Sequence, residues 1–320
     1  SMDRLRAMRL FLRVTELGSL SAAATDLGLA RGAGSAIVAE LERHLGVQLL
    51  ERTTRKIRLT EEGQIYAGRA RTILADVDEL EDEIGGAERR PHGRLRIQMP
   101  PGLTRIIVAP ALPGFIAAYP GMELQILSRS DLPDFVGLRL DAAVVVGPLP
   151  ELDIVARPLG HLPVLTVAAP AYLERSGTPR VPADLADHSC VRTISTTTGN
   201  PVVWRFREGD HDIRLAVPGP LAFEAPEAAV AAVRRGAGIL QIASYLLFDD
   251  IRAGKLVPIL DDFRPEGPTL QIVHPRHRRK PRRLKVFEDF LSDLNQKVRT
   301  SWNITDTQSP GPGRITPPSE

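Results

Sequence analysis

Apolar residues recur at Leu5, Met8, Phe11 and Leu12, with Val14 and Leu17 at the edge, the three-and-four spacing of a helix buried along one side. Gly18 stops it, and Ser19 or Ser21 can cap a short second helix whose Ala22, Ala23, Ala24 and Leu27 are small enough for another helix to cross closely. Gly28 supplies a turn. A third helix is predicted from about Arg31 to His44, burying Ile37, Val38 and Leu41, leaving Arg31, Gly32, Ser35 and Ala36 at its exposed front and stopping at Leu45-Gly46. Alternation from Leu50 to Thr60 predicts two short strands with basic residues gathered at their tip. Residues 61 to 84 read as one long helix, in which Tyr66, Ala70, Ile73, Val77, Leu80 and Ile84 step by 4, 3, 4, 3 and 4, a heptad seam suited to a partner helix from a second chain.

Gly85-Gly86 ends that helix, and Arg89-Arg90-Pro91-His92-Gly93 reads as a hinge before the composition turns to Val, Ile, Leu, Pro and Ala. Beyond it, Leu95 to Met99, Met122 to Ser128, Ala142 to Val146, Val164 to Ala168 and Ile239 to Ile242 are predicted strands, and 104 to 118 and Pro226 to Arg235 predicted helices. Strands alternating with helices predict a largely parallel sheet with covered faces. A last helix, Arg283 to Leu294, should bury Val286, Phe287, Phe290, Leu291 and Leu294, and the basic run His274 to Lys285 before it reads as a solvated loop. From 296 to 320 a flexible tail is expected, Asn303 to Glu320 being too poor in apolar residues to fold alone.

Charge changes this picture. The formal net charge is only +2, yet residues 1 to 71 carry 12 Lys/Arg against 8 Asp/Glu, whereas 76 to 88 hold 7 acids and no base. Arg52, Arg55, Lys56 and Arg58 place four cations within seven residues of the predicted hairpin, beside Thr53 and Thr54, a set suited to a phosphate backbone. Three helices followed by a basic hairpin predict a winged helix-turn-helix on double-stranded DNA, its third helix in the major groove. Arg31, the one long polar side chain at that front, is the candidate for guanine, with a phosphate as the alternative partner. Gly32 and Gly34 within one helix should cost about 1 kcal/mol each relative to alanine.

The segments Gly18-Ser19-Leu20-Ser21-Ala22-Ala23-Ala24, Leu41-Glu42-x-x-Leu45-Gly46-Val47-x-Leu49-Leu50-x-Arg52-Thr53-Thr54-Arg55 and Leu59-Thr60-x-x-Gly63 resemble the signature of the LysR-type transcriptional regulators. Further matches extend the resemblance over about residues 3 to 295: Pro110-Ala111-Leu112-Pro113, Tyr119-Pro120, Ala169-Pro170-Ala171-Tyr172-Leu173 and Gly236-x-Gly238-Ile239. It implies an α+β multi-domain chain: a winged helix-turn-helix over 3–60, a linker dimerisation helix and hinge over 61–92, and a two-lobed α/β effector domain over 93–295, like periplasmic solute-binding proteins. Lobe I would hold 93–163 and 268–295, lobe II 164–267, with crossovers near Pro163 and Gly267. The resemblance implies DNA contacts by Ser19, Ser21, Arg31, Gly32, Ser35, Arg52, Thr53, Arg55 and Lys56, a homodimer or homotetramer, and a small-molecule effector. Ala30, Gly34 and Ala36 depart from the family's usual residues in the reading helix.

A cleft between two such lobes should bind at strand ends. The candidates are Pro100, Gly102, Leu103, Thr104, Ser128, Val146, Gly147, Ser195, Thr196, Thr197, Trp204 and, where relatives tend to carry Asn-Asp, Glu224. Catalytic, metal and cofactor sites are not expected: there is no nucleophile elbow or phosphate loop, the seven histidines lack ligand spacing, and the lone Cys190 reads as a buried small side chain in a reducing cytoplasm. No export signal or membrane span is expected. The alternative function is an architectural DNA-binding protein whose α/β half only oligomerises.

Overall fold

The computed structural model describes residues 3–30, 32–52, 57–84, 91–150, 153–276 and 280–301, and the chain divides after Arg90 into two compact units. In the first, α1 (Arg4–Leu17) is capped by the Asp3 carboxylate and ended by Gly18 at φ 64°. Ser19, rather than Ser21, caps α2 (Leu20–Asp26), its Oγ accepting the Ala22 N–H at 3.2 Å. The third helix, α3 (Ala33–Leu45), begins later than its periodicity suggests, because Gly32 sits outside it as the N-cap at φ 89°. That left-handed backbone favours glycine, so Gly32 carries no helix-interior penalty. Gly34 is buried for a separate reason: a Cβ there would lie 2.9 Å from the Leu20 carbonyl oxygen and 3.1 Å from the Ala24 Cβ. The two helices of the motif therefore cross at a separation that only a missing side chain permits.

This crossing covers a core of Leu10, Phe11, Val14, Ala23, Val38, Leu41 and Leu49. The Glu42 carboxylate accepts the backbone N–H groups of Leu49 at 2.8 Å and Leu50 at 3.0 Å, tying α3 to β1 (Leu50–Arg52), which pairs antiparallel with β2 (Ile57–Leu59). Thr60 then opens α4 (Glu61–Ile84): its Oγ accepts the Gly63 N–H at 2.9 Å and donates to the Gln48 carbonyl at 2.7 Å. Along α4 the heptad seam divides. Ala70 is buried with Gly63, Ala67 and Leu74 against the unit's own helices, and Tyr66 stacks edge-on against Phe11 at 5.3 Å. Ile73, Leu80 and Ile84 remain 42, 54 and 78% exposed. The first two turns of the stripe are thus spent on packing within the chain, a choice that a periodicity of seven cannot distinguish from pairing with a partner.

In the second unit, β3 (Gly93–Met99) leads into a continuous helical stretch made of α5 (Pro101–Leu103), a π-type turn (Thr104–Val108) and α6 (Ala109–Ala118). Then come β4 (Met122–Ser128), β5 (Ala142–Val146) and β6 (Ile154–His161). The second lobe follows as β7 (Val164–Ala168), α7 (Pro170–Ser176), β8 (Val191–Thr193), β9 (Trp204–Glu208), β10 (His211–Leu215), β11 (Leu221–Phe223), α8 (Pro226–Arg234), β12 (Ile239–Ala243), α9 (Phe248–Arg252) and β13 (Val257–Ile259). The chain returns through β14 (Thr269–Pro275) to α10 (Arg282–Ser301). The five-stranded sheet runs β4-β3-β5-β14-β6 and is mixed, not largely parallel: β3 pairs parallel with β4 and β5, while β14, arriving from the other lobe, is antiparallel to β5 and β6. The β12-β7-β13 sheet is antiparallel throughout, while β8 and β11 pair in parallel.

Leu95, Ile97, Val108, Phe115, Ile272, Phe287 and Leu291 fill the first lobe, and Leu165, Val167, Val230, Val233, Leu240 and Leu256 the second. The basic run before α10 is no solvated loop at its ends. His274 is buried within β14, the Arg283 Nε–H donates to the Arg94 carbonyl at 3.1 Å, and Lys280 meets the buried Glu288 at 2.6 Å. The last helix also runs past 296 to Ser301, because Asn295 donates to the Leu159 carbonyl at 2.8 Å and Val298 still lines an apolar surface with Leu294.

Gly34→Val should destabilise the first unit by about 1–3 kcal/mol, since overpacking against a backbone carbonyl outweighs the gain in helix propensity. Urea unfolding followed by far-UV circular dichroism checks this, and an unchanged midpoint would remove the close crossing as the reason for Gly34.

Candidate functional site

The outward side of α3 carries Gly32, Ser35, Ala36, Ala39, Glu40 and Arg43, all exposed. Helical spacing sets Gly32, Ala36, Ala39 and Arg43 along one line, flanked by Ser35 and Glu40. Ser21 is exposed at the start of α2, and Ser19, occupied as a cap, is half-buried with its Oγ 3.1 Å from that of Ser21. Arg13 holds α1 to α2 through two hydrogen bonds to Asp26, at 2.7 and 3.0 Å, and keeps the Asp26 carboxyl below the usual carboxylate range. Arg31, Thr53, Arg55 and Lys56, and the side chain of Arg52, lie outside the described residues. Ala39, Glu40 and Arg43 were missing from the expected set. Their signal was available, as positions four, five and eight beyond Ser35 on one helix.

In the second unit the structure gathers some of the expected cleft residues and withdraws others. Pro100 follows β3 and Ser128 ends the adjacent parallel β4, with the Arg129 N–H donating to the Met99 carbonyl. The Pro100 carbonyl accepts both the N–H and the Oγ–H of Thr104 at 2.9 Å, so this hydroxyl is spent on the helix start. Gly102 is buried against the other lobe: a Cβ there would lie 2.9 Å from Leu246, 3.0 Å from the Glu227 carboxylate and 3.3 Å from the Tyr245 ring. Arg105, the sole charge between 101 and 118, reaches Glu227 at 3.8 Å across the lobes. On the same seam Thr196 donates its hydroxyl to the Ser130 carbonyl at 2.8 Å. Burial, with Glu227 nearby, raises the pKa of the Tyr245 phenol.

Leu103 and Trp204 do not face a cleft. Leu103 is a core residue of lobe I, and Trp204 is 1% exposed, packed with Phe206 and Tyr172 inside lobe II. A large aromatic beginning a hairpin strand is drawn into the core by the area it buries. Val146 is exposed, while Gly147 has its N–H bonded to Thr269 and its carbonyl to Gln271, at 2.8 and 2.9 Å. The Ser195 hydroxyl accepts the N–H groups of Thr197 and Thr198, closing its own turn, which leaves Thr196 as the member of that loop that reaches the other lobe. Glu224 is exposed between β11 and α8. Arg105, Ser130, Glu227, Tyr245 and Leu246 were missed. Only Arg105, a lone charge in an apolar helix, stands out in the sequence.

Residues 5–64 match the bacterial regulatory helix-turn-helix protein model of the lysR family, and residues 88–296 match the LysR substrate binding domain. The chain belongs to the LysR family. As a LysR-type protein it is a DNA-binding transcriptional regulator with an effector-binding domain, and not an enzyme. It is 35% identical over 293 residues to an uncharacterized HTH-type transcriptional regulator, YhjC, of Escherichia coli K12, covering 92% of this chain and 98% of that protein. An HTH-type transcriptional repressor of Pseudomonas aeruginosa UCBPP-PA14 is 32% identical, covering 92% of each chain, and the E. coli K12 activator AaeR is 30% identical over 93% of this chain and 96% of its own. CrgA, a LysR-type regulator of Neisseria meningitidis, superposes with a TM-score of 0.55 at 30% identity, over 90% of this chain and 97% of that one.

The LysR signature residues acquire physical reasons in this geometry. Glu42 satisfies two N–H groups at the hairpin, Thr60 caps the linker helix, and Gly63 lies where a Cβ would come within 2.1 Å of the Leu49 carbonyl oxygen. Cys190 is fully buried in lobe II, and burial pushes its thiol from the ordinary 9.0 up to about 12. The neutral thiol is thereby favoured in the folded state, so its contribution to stability is complete below pH 9 and is lost as pH rises from 9 through 12. The native LysR-type chain should therefore resist a thiol-reactive disulfide reagent at pH 8 and react only on unfolding. Rapid labelling of the native protein would contradict the burial.

Proposed function

We propose that the exposed side of α3, with Gly32, Ser35, Ala36, Ala39 and Arg43, reads base edges in a major groove, and that Ser19, Ser21 and Arg31 border the same duplex. Arg52, Thr53, Arg55 and Lys56 then hold the phosphate backbone. The observation that carries this reading is the buried crossing at Gly34, which fixes α2 against α3 and leaves the outer face of α3 free. The heads act in pairs, with Ile73, Leu80 and Ile84 of α4 covered by the same helix of a second copy, in a homodimer or a pair of dimers working in the cytoplasm.

The effector lies between the lobes, bordered by Pro100, Gly102, Thr104, Ser128, Val146 and Gly147 on one side and by Ser195, Thr196, Thr197 and Glu224 on the other. Supporting this placement, both lobes present polar groups to one seam, where Thr196 meets Ser130 and Glu227 meets Arg105. A ligand entering there competes with these contacts and resets the angle between lobes. In a thermal-shift screen, an effector at 100 times its Kd should stabilise the chain by about 2.7 kcal/mol.

Arg52→Ala with Arg55→Ala should weaken binding to every duplex tested and flatten the slope of log affinity against log salt by about 0.9 per lost phosphate contact. Fluorescence anisotropy across a salt series measures both, and unchanged affinity in the double variant would refute the hairpin's role.

A further inference from the structure

In lobe II, β9 and β10 form a two-stranded antiparallel ribbon of their own. One face is buried through Trp204 and Phe206, with Ile213 and Leu215 packed against that core, and the Gln241 side chain clips the ribbon to the lobe by accepting the Arg205 N–H at 2.9 Å and donating to its carbonyl at 2.8 Å. The other face is solvent-exposed and carries Arg205, Arg207, Asp212 and Arg214. Arg207 stands opposite Asp212 and bonds locally to the Gly209 carbonyl. Arg205 stands directly opposite Arg214, and neither guanidinium has a partner among the described residues. Like charges facing each other across a ribbon are unfavourable in isolation, and an added pair of anions removes that repulsion.

The same chain contains a matching surface. On α4 the buried positions Ala67, Ala70 and Leu74 define the side packed on its own unit, and helical spacing places residues 76, 79 and 83 on the far side. These are Asp76, Glu79 and Glu83, within the tract from 76 to 88 that contains no base. Opposed residues on a ribbon have Cβ atoms about 4.5–5.5 Å apart. Helix residues three or four apart are separated by about 5–6 Å. Acidic positions on the helix at the second spacing match guanidinium-bearing positions on the ribbon at the first.

We propose that this ribbon, through Arg205 and Arg214, docks on the acidic face of α4 (Asp76, Glu79 and Glu83) of a second copy of the chain. The contact is distinct from helix-to-helix pairing through Ile73, Leu80 and Ile84.

The test uses the full chain with p-benzoylphenylalanine at Val203, an exposed position two residues before Arg205. Nitrogen-14 and nitrogen-15 copies are mixed, irradiated and digested. Cross-links from 203 to the segment 72–84, with the two isotopes mixed, are expected. Their yield should fall at least fivefold in R205E/R214E and in the milder R205Q/R214Q, and should fall in 0.5 M salt. Adding D76R/E79R to R205E/R214E should restore the yield to within twofold, with all variants matched by circular dichroism and melting temperature. Mixed-isotope cross-links that are absent, lead elsewhere or ignore charge reversal would overturn the proposal, as would cross-links confined to single-isotope copies. A loss of DNA affinity in R205E/R214E with cross-links intact would reassign the ribbon to phosphate and overturn it too.

Discussion

The two lobes are joined by a pair of strands, and much of the second unit depends on how closely those strands run. β6 leaves the first sheet beside β14, which re-enters it antiparallel, and the pairing continues to the edge of the lobe where Leu162 donates to the Pro268 carbonyl at 2.9 Å. At that edge Gly267 lies at φ 85°, and a Cβ on it would come within 1.9 Å of the Leu162 carbonyl oxygen. Both passages are thus pressed together by a hydrogen-bonded ladder. This constraint accompanies the mixed strand order, and the Thr196 to Ser130 and Arg105 to Glu227 contacts span the seam between the lobes.

The first unit answers to close approach of another kind. Gly34 and Gly63 each stand where a side chain would strike a backbone carbonyl, of Leu20 in one case and Leu49 in the other. Neither has the left-handed backbone that makes glycine recognisable in a turn, so their role is spatial rather than conformational. Around them Glu42 and Thr60 satisfy backbone N–H groups that the short hairpin and the new helix would otherwise bury unpaired. The head is held by small residues at crossings and by side chains that replace missing backbone partners.

These differences explain what could be read from the sequence. Local features were legible: Gly18 as a stop, a serine cap at Ser19 or Ser21, the strands Met122–Ser128, Ala142–Val146 and Val164–Ala168, and the helix opened by Pro226, because propensity and period act over a few residues. Strand direction was not legible, since β14 owes its orientation to a chain return more than a hundred residues after β5. The division of the α4 stripe between Ala70 and Ile73 was also hidden, because an apolar residue at helical spacing is equally suited to a neighbour in the same chain or another. Trp204 and Leu103 followed the strand-end rule into the wrong environment: the rule locates backbone positions, whereas burial selects side chains. Glu227 and Tyr245 belong to the seam only because the fold brings residues 102 and 227 together.

The near-neutral total charge now has a structural meaning. It sums a basic head, an acidic linker helix and a ribbon bearing two opposed arginines. Such segregation is costly in a lone chain, because like charges are held together by secondary structure, and becomes favourable only as complementary surfaces meet. On the proposed docking, salt acts at more than one place: it weakens phosphate contacts at the head and the pairing between ribbon and linker. A salt dependence measured for DNA binding contains both contributions whenever the bound species is an assembly, so the slope counts phosphates only after the state of assembly has been held constant.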